Sequence, residues 1–135
     1  MISESTKDRY SSAHATYSIQ YHIVFCPKFR RPVLEPLREE LMTLFSQVAE
    51  EMEISIISME VMSDHVHLFV TSKPSYEPQL IVNRMKGYTS RVLRARHEWL
   101  RKRLPTLWTR NYYIASVGNA SAKTISEYIE NQKGI

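Results

Sequence analysis

Residues Ile54–Thr71 read ISIISMEVMSDHVHLFVT. The first half, Ile54 to Met62, is rich in Ile, Met and Val and predicts a strand. His65 to Thr71 predicts a second, and Ser63-Asp64 between them a tight turn, so the pair is a hairpin. Successive strand residues point to opposite faces. His65 and His67 therefore share one face, and Val66, Leu68 and Val70 share the other. The apolar set must meet whatever covers the sheet, which leaves the two imidazoles on its open side.

Upstream of the hairpin, Tyr17, Ile19, Tyr21, Ile23 and Phe25 alternate with Ser18, Gln20, His22 and Val24, a period-2 strand with one apolar face. CPKFRRP follows as a loop with two prolines and three positive charges. Leu37, Leu41, Leu44, Val48 and Met52 recur at helical spacing, with Glu39, Glu40, Glu50 and Glu51 on the outer face. Downstream of the hairpin, KPSYEP is a loop, and a helix runs from Leu80 to about Arg96 with Leu80, Met85, Tyr88, Val92 and Leu93 as its apolar positions. His97 to Pro105 fits no single pattern. Trp108 to Val117 is aromatic and β-branched and predicts a fourth strand. Gly118-Asn119-Ala120 breaks it and is a possible hinge, Ser121 can cap a last helix from Ala122 to Lys133, and Gly134 stands where a C-terminal glycine belongs. The order β-α-β-β-α-β plus a C-terminal helix is the α+β, ferredoxin-like split βαβ pattern, an antiparallel sheet with two helices on one face. Residues 1–16 read as a flexible tail, and residues 17–135 as a single domain.

The chain has 135 residues, 43% apolar and 24% charged, a globular balance. It offers no apolar run of membrane-spanning length and no secretory h-region at its N-terminus. Cys26 is the single cysteine, so neither an internal disulfide nor a cysteine zinc site can form, and a reducing cytoplasm is expected. The net charge is +4 but unevenly spread. Between Arg84 and Arg110 nine basic residues face Glu98 alone, a net of +8, whereas Val33–Val61 carries seven Glu against Arg38, a net of −6. One basic side suggests an anionic polymer, most often nucleic acid; the plainer alternative is a solvated, Arg-rich helix face. Arg84, Lys86, Arg91 and Arg94, with Lys28 and Arg30 of the CPKFRRP loop, are the candidate nucleic-acid contacts.

Three groups of residues carry possible chemistry. Two imidazoles on one strand face make a half-site for a divalent metal, though they could equally be solvated histidines; Asp64 could support one of them or merely make the turn. Tyr128 and Gln132, at i and i+4, lie on one helix face beside Ile125 and Ile129, where packing alone would also explain them. Gly87 stands inside the basic helix, where a glycine costs about 1 kcal/mol relative to Ala, explained either by close approach of a nucleic-acid strand or by helix–sheet packing. Trp99, Trp108, Tyr112 and Tyr113 could stack on bases, with Trp108 and one of the tyrosines better suited to the core.

Taken in order, YHIVFCPKFRRPVL, SDHVHLFV, MKGYTSR, LWTRNYYIASVG and SEYIENQ resemble the single-tyrosine HUH (His-hydrophobe-His) transposases of the insertion sequence 200/605 group, across residues 17–133. The resemblance implies that His65 and His67 are metal ligands, Gln132 the third, and Tyr128 the nucleophile. It also implies a single-stranded DNA substrate with hairpins near the element's ends, a homodimer in which Tyr128 of one subunit completes the other's site, and a cytoplasmic, nucleoid-associated role in a prokaryotic cell. Two imidazoles and an amide oxygen suit Mg²⁺ or Mn²⁺. A phenol's ordinary pKa is near 10, so its deprotonation needs help, for which His22 and Glu127 are possible groups. The rival readings are a non-catalytic RNA- or single-stranded-DNA-binding module on the same sheet, and a metal-dependent phosphodiesterase using water.

Overall fold

The structure, a computed structural model, describes residues 10–11, 16–116 and 122–135. Two short strands, β1 (Tyr10–Ser11) and β2 (Thr16–Tyr17), form an antiparallel pair of their own. The main sheet holds β3 (Gln20–Phe25), β4 (Ile56–Val61), β5 (Val66–Thr71) and β6 (Tyr113–Ser116) in the order β4-β5-β3-β6, with every neighbour antiparallel. Helices α1 (Arg38–Met52) and α2 (Pro78–Arg96) complete the expected β-α-β-β-α-β order, and α4 (Ala122–Glu130) follows. The stretch that fits no pattern from sequence is a short helix, α3 (Glu98–Arg103), set off from α2 by an extended His97. The proposed hinge Gly118-Asn119-Ala120 and the Ser121 cap lie outside the described residues.

The core forms where the period-2 and period-3.6 patterns meet. Ile23, Phe25, Val66, Leu68 and Val70 from the sheet pack with Leu41, Leu44, Phe45 and Val48 of α1 and with Ile81, Val82, Met85 and Leu93 of α2. Each such side chain contributes about 1.5–3 kcal/mol through its burial. The helix α2 is rotated from its expected phase. It buries Ile81, Val82, Met85, Thr89 and Leu93, while Leu80 is exposed and Tyr88 and Val92 are half-buried. A polar residue holds one buried position because Trp108 Nε1 donates to Thr89 Oγ1 at 3.0 Å.

The last strand is shorter than its composition predicts. Trp108 makes an isolated bridge to Pro27. Lys86 Nζ donates to the carbonyls of Thr109 and Asn111, removing them from any ladder, so regular pairing with β3 begins at Tyr113. The sheet face opposite α1 and α2 is not bare either. Val24 lies on that face and is fully buried, because α4 crosses β3 there.

Candidate active site

Register places the site residues in rows. His67 of β5 pairs with Val24 of β3, which pairs with Tyr113 of β6, so the three stand side by side on the face under α4. On the far side His67 pairs with Glu60 of β4. His65 and His67 line one cleft of about 460 Å³ together with Glu60 and with Ile125, Ser126, Ile129 and Glu130 of α4. The structure thus brings the two histidines together, as their spacing predicts.

Each imidazole has a polar partner. His65 Nδ1 lies 2.9 Å from Asp64 Oδ1, so the carboxylate orients that ring and leaves Nε2 toward other partners. His67 Nε2 lies 3.0 Å from His22 Nδ1, and His22 stacks on Phe69 at 4.3 Å between ring centres. Burial lowers the pKa of His22, and burial together with the His22 neighbour lowers that of His67. Both rings are held toward the neutral form, the form in which imidazole binds metals.

Tyr128 lies on α4, but that helix ends at Glu130 rather than at the expected Lys133, so Gln132 stands in the turn beyond it; neither residue lines the histidine cleft. Tyr128 packs on Tyr113, with ring centres 5.9 Å apart. Its buried hydroxyl makes no well-formed hydrogen bond, the Thr109 hydroxyl offering only a weak one, and burial pushes its pKa well above the ordinary value, with nearby Cys26 adding to the rise and Thr109 opposing it. Gln132 is buried, its Nε2 donates to the Tyr128 carbonyl at 3.2 Å, and its Oε1 has no partner. A buried polar atom left unpaired costs about 1–3 kcal/mol. The segment from Tyr128 to Gln132 thus holds two poorly satisfied buried polar atoms, a phenol oxygen on α4 and an amide oxygen in the turn that follows it. Cys26 is itself fully buried, which pushes its thiol up to about 12 and keeps it un-ionised.

The candidate DNA contacts are divided. Arg84 is exposed and pairs with Glu51 at 3.5 Å. Arg91 lies over the Tyr88 ring, 5.4 Å from its centre, and with Arg84, Asn83 and Gly87 lines an open groove beside α1. No heavy atom would meet a Cβ at Gly87 within 4 Å, which removes helix–sheet packing as its explanation. Lys28 lies over the Phe29 ring. Lys86, Arg94 and Arg30 are engaged within the protein: Lys86 as above, Arg94 donating to the Leu104 carbonyl at 2.7 Å, and Arg30 bonded to Asp64 and α4. Of the aromatics, Trp108 is buried, Trp99 and Tyr112 pack on the core, and Tyr113 lies beneath Tyr128. The pairing of His22 with His67 is a contact that local sequence does not announce; its only signal is that His22 shares the alternation phase of Val24.

The chain thus builds a four-stranded ferredoxin-like sheet bearing a His-hydrophobe-His strand, crossed on its open face by the helix that carries the half-buried Tyr128. The sequence profile of the IS200-like transposases matches residues 15–132, and the chain belongs to that family. It is 31% identical over 119 residues to the ISDra2 transposase TnpA of Deinococcus radiodurans, covering 86% of this chain and 85% of that one. It is 30% identical over 128 residues to the transposase for insertion sequence element IS200 of Salmonella typhimurium, covering 93% and 84%. A crystal structure described as that of a Deinococcus radiodurans transposase superposes with a TM-score of 0.85 at 25% identity, covering 93% of this chain and 99% of that one. A tyrosine transposase bound to a REP hairpin shares the fold, with a TM-score of 0.57 at 12% identity, over 90% of this chain and 67% of its own. No helix among the described residues is long and apolar enough to cross a membrane.

Proposed function

We propose that this transposase cleaves and rejoins single-stranded DNA at insertion-sequence ends through a 5′-phosphotyrosine on Tyr128, working as a homodimer with His65, His67 and Gln132 as metal ligands. The observation that carries the reading is the pair of poorly satisfied buried atoms, Tyr128 Oη and Gln132 Oε1, on and just after the helix that closes over His65 and His67.

The donor set fits a divalent cation. The third ligand is the one that the family resemblance implies, Gln132, whose amide oxygen is buried without a partner. Held by His65, His67 and Gln132, Mg²⁺ or Mn²⁺ would supply positive charge at the scissile phosphate. The rest is the chain's own chemistry. Tyr128 Oη bonds to phosphorus, the bond from phosphorus to the 3′ oxygen breaks, and a proton ends on that oxygen as a 3′-hydroxyl. Rejoining is the reverse step with a different 3′-hydroxyl, so one phosphodiester replaces another and no ATP is consumed. In the present seat of α4 Tyr128 does not line the histidine cleft and its burial disfavours the phenolate, so attack at that cleft calls for a shift of the helix. The hairpin-bound neighbour of the same fold is a precedent for hairpin-bearing ends as substrate.

Incubation with single-stranded DNA and Mg²⁺ or Mn²⁺, read on a denaturing gel, tests this. The wild type should yield a covalent protein–DNA band, and Tyr128→Phe none, with binding retained. His65→Ala and His67→Ala should bind but not cleave. Cleavage without an adduct would identify a hydrolase, and binding without cleavage a recognition module.

A further inference from the structure

Arg30 sits between three elements. Its Nε lies 3.3 Å from Asp64 Oδ2, and its Nη1 donates to the Ile129 carbonyl at 3.3 Å and to Glu130 Oε2 at 3.2 Å. The side chain is only 16% exposed. The other carboxylate oxygen of Asp64 is the one that holds His65 Nδ1, at 2.9 Å. One guanidinium therefore joins the last turn of α4, where the helix dipole favours a cation, to the carboxylate that orients His65.

The backbone is shaped for this contact. Phe29 and Arg30 have φ values of 60° and 51°, two consecutive left-handed residues of which neither is glycine. Such conformations are disfavoured for L-residues and persist only where the surroundings hold them. Here Lys28 N donates to the Leu107 carbonyl and Arg30 N to the Pro27 carbonyl, both at 2.8 Å. The turn returns the Arg30 side chain toward the site, away from the basic groove on α2.

We propose that Arg30 is a positioning residue that latches α4 to the Asp64-His65 turn, so that the seat of the tyrosine helix and the orientation of His65 are set by one guanidinium. The proposal deepens the transposase reading and rests on it for the roles of Tyr128 and His65. When α4 leaves, the Ile129 carbonyl and Glu130 go with it and Arg30 keeps only Asp64. Departure of the helix and loosening of His65 are then one event. A lysine does not reproduce the latch, because its single nitrogen cannot hold Asp64 on one side and α4 on the other as Nε and Nη1 of the guanidinium do.

The test is hydrogen exchange on the full chain without DNA or metal, comparing wild type, Arg30→Gln, Arg30→Lys, Glu130→Gln and Lys133→Gln. In Arg30→Gln the α4 amides should exchange roughly tenfold faster, the loss of a charge-assisted hydrogen bond, while those of α1 and β5 are unchanged. Arg30→Lys should behave like Arg30→Gln. Glu130→Gln breaks exposed pairs with both Arg30 and Lys133, so it is read against Lys133→Gln, beyond which it should speed α4 exchange about twofold. The salt slope of single-stranded DNA binding should stay at the wild-type value in Arg30→Gln. Unchanged α4 exchange in both Arg30 variants overturns the latch. So does full protection in Arg30→Lys combined with a slope reduced by about 0.7 in Arg30→Gln, which would make Arg30 a phosphate contact. If Arg30→Gln also loosens α1 and β5, Glu130→Gln decides against Lys133→Gln: faster α4 exchange than in Lys133→Gln sustains the latch, and equal exchange overturns it. Failure of the transposase reading would show instead as a missing covalent adduct, which leaves these exchange rates untouched.

Discussion

Lys86 carries its charge into a place where charge is costly. Its ammonium donates to the Thr109 and Asn111 carbonyls beside the Phe25 and Tyr112 rings, and burial lowers its pKa from 10.5 to about 8. Below pH 8 both folded and unfolded chains hold the proton, and the fold bears the cost of a partly buried cation. Between about 8 and 10.5 the unfolded chain still holds the proton while the folded one has released it, so stability rises with pH across that window. Lys86→Met has no such group. The melting temperature of the wild type relative to this variant should therefore climb between pH 7 and 10, measured by thermal unfolding at constant ionic strength. A difference that stays flat would mean the ammonium is solvated. Sequence could not reveal this environment: Lys86 looks like any other member of a basic run, and only its carbonyl partners, more than twenty residues downstream, pull it inward.

At the scale of the element, α2 splits its charges between two tasks. Arg84 and Arg91 face the open groove with Gly87 between them, whereas Lys86 and Arg94 hold the segments that follow. Replacing Arg84 and Arg91 by Gln should lower the salt slope of DNA binding by about 0.7 for each phosphate that these side chains neutralise. Stability should change little, because the Arg84 pair with Glu51 is exposed. An unchanged slope would place the DNA elsewhere. Gly87→Ala separates two explanations of the glycine. An added Cβ meets nothing within the chain, so the helix should gain about 1 kcal/mol from propensity alone. If a nucleic-acid strand approaches the groove, binding should weaken in the same variant, so a higher melting temperature should accompany a higher Kd. A stabilised protein with unchanged affinity would show that the groove does not carry DNA.

At the scale of the whole molecule, the chain's own α4 seats Tyr128 over β6, with β3 between it and the strand that bears His67. If α4 serves the partner's histidines, subunit mixing will reveal it. Tyr128→Phe and His67→Ala chains, each inactive alone, should regain cleavage when mixed, because one composite site in the mixed dimer has both its nucleophile and its ligands. Within a single chain every site would lack one or the other. No recovered cleavage despite demonstrated subunit exchange would confine Tyr128 to its own subunit.

The βαββαβ order and the shared face of His65 and His67 are legible from the residues in a row. Both depend on periodicities of 2 and 3.6, which are properties of the local backbone. The same periodicity marks Tyr128 and Gln132 as neighbours on one helix face. Contacts between residues far apart in the chain are fixed at a later stage, by folding: His22 against His67, Lys86 under residues 109–111, the phase of α2, and Arg30 reaching from a left-handed turn to both Asp64 and α4. These depend on how the layers dock. A periodicity says which face of an element is apolar, but not which polar group of a distant element will be brought against it.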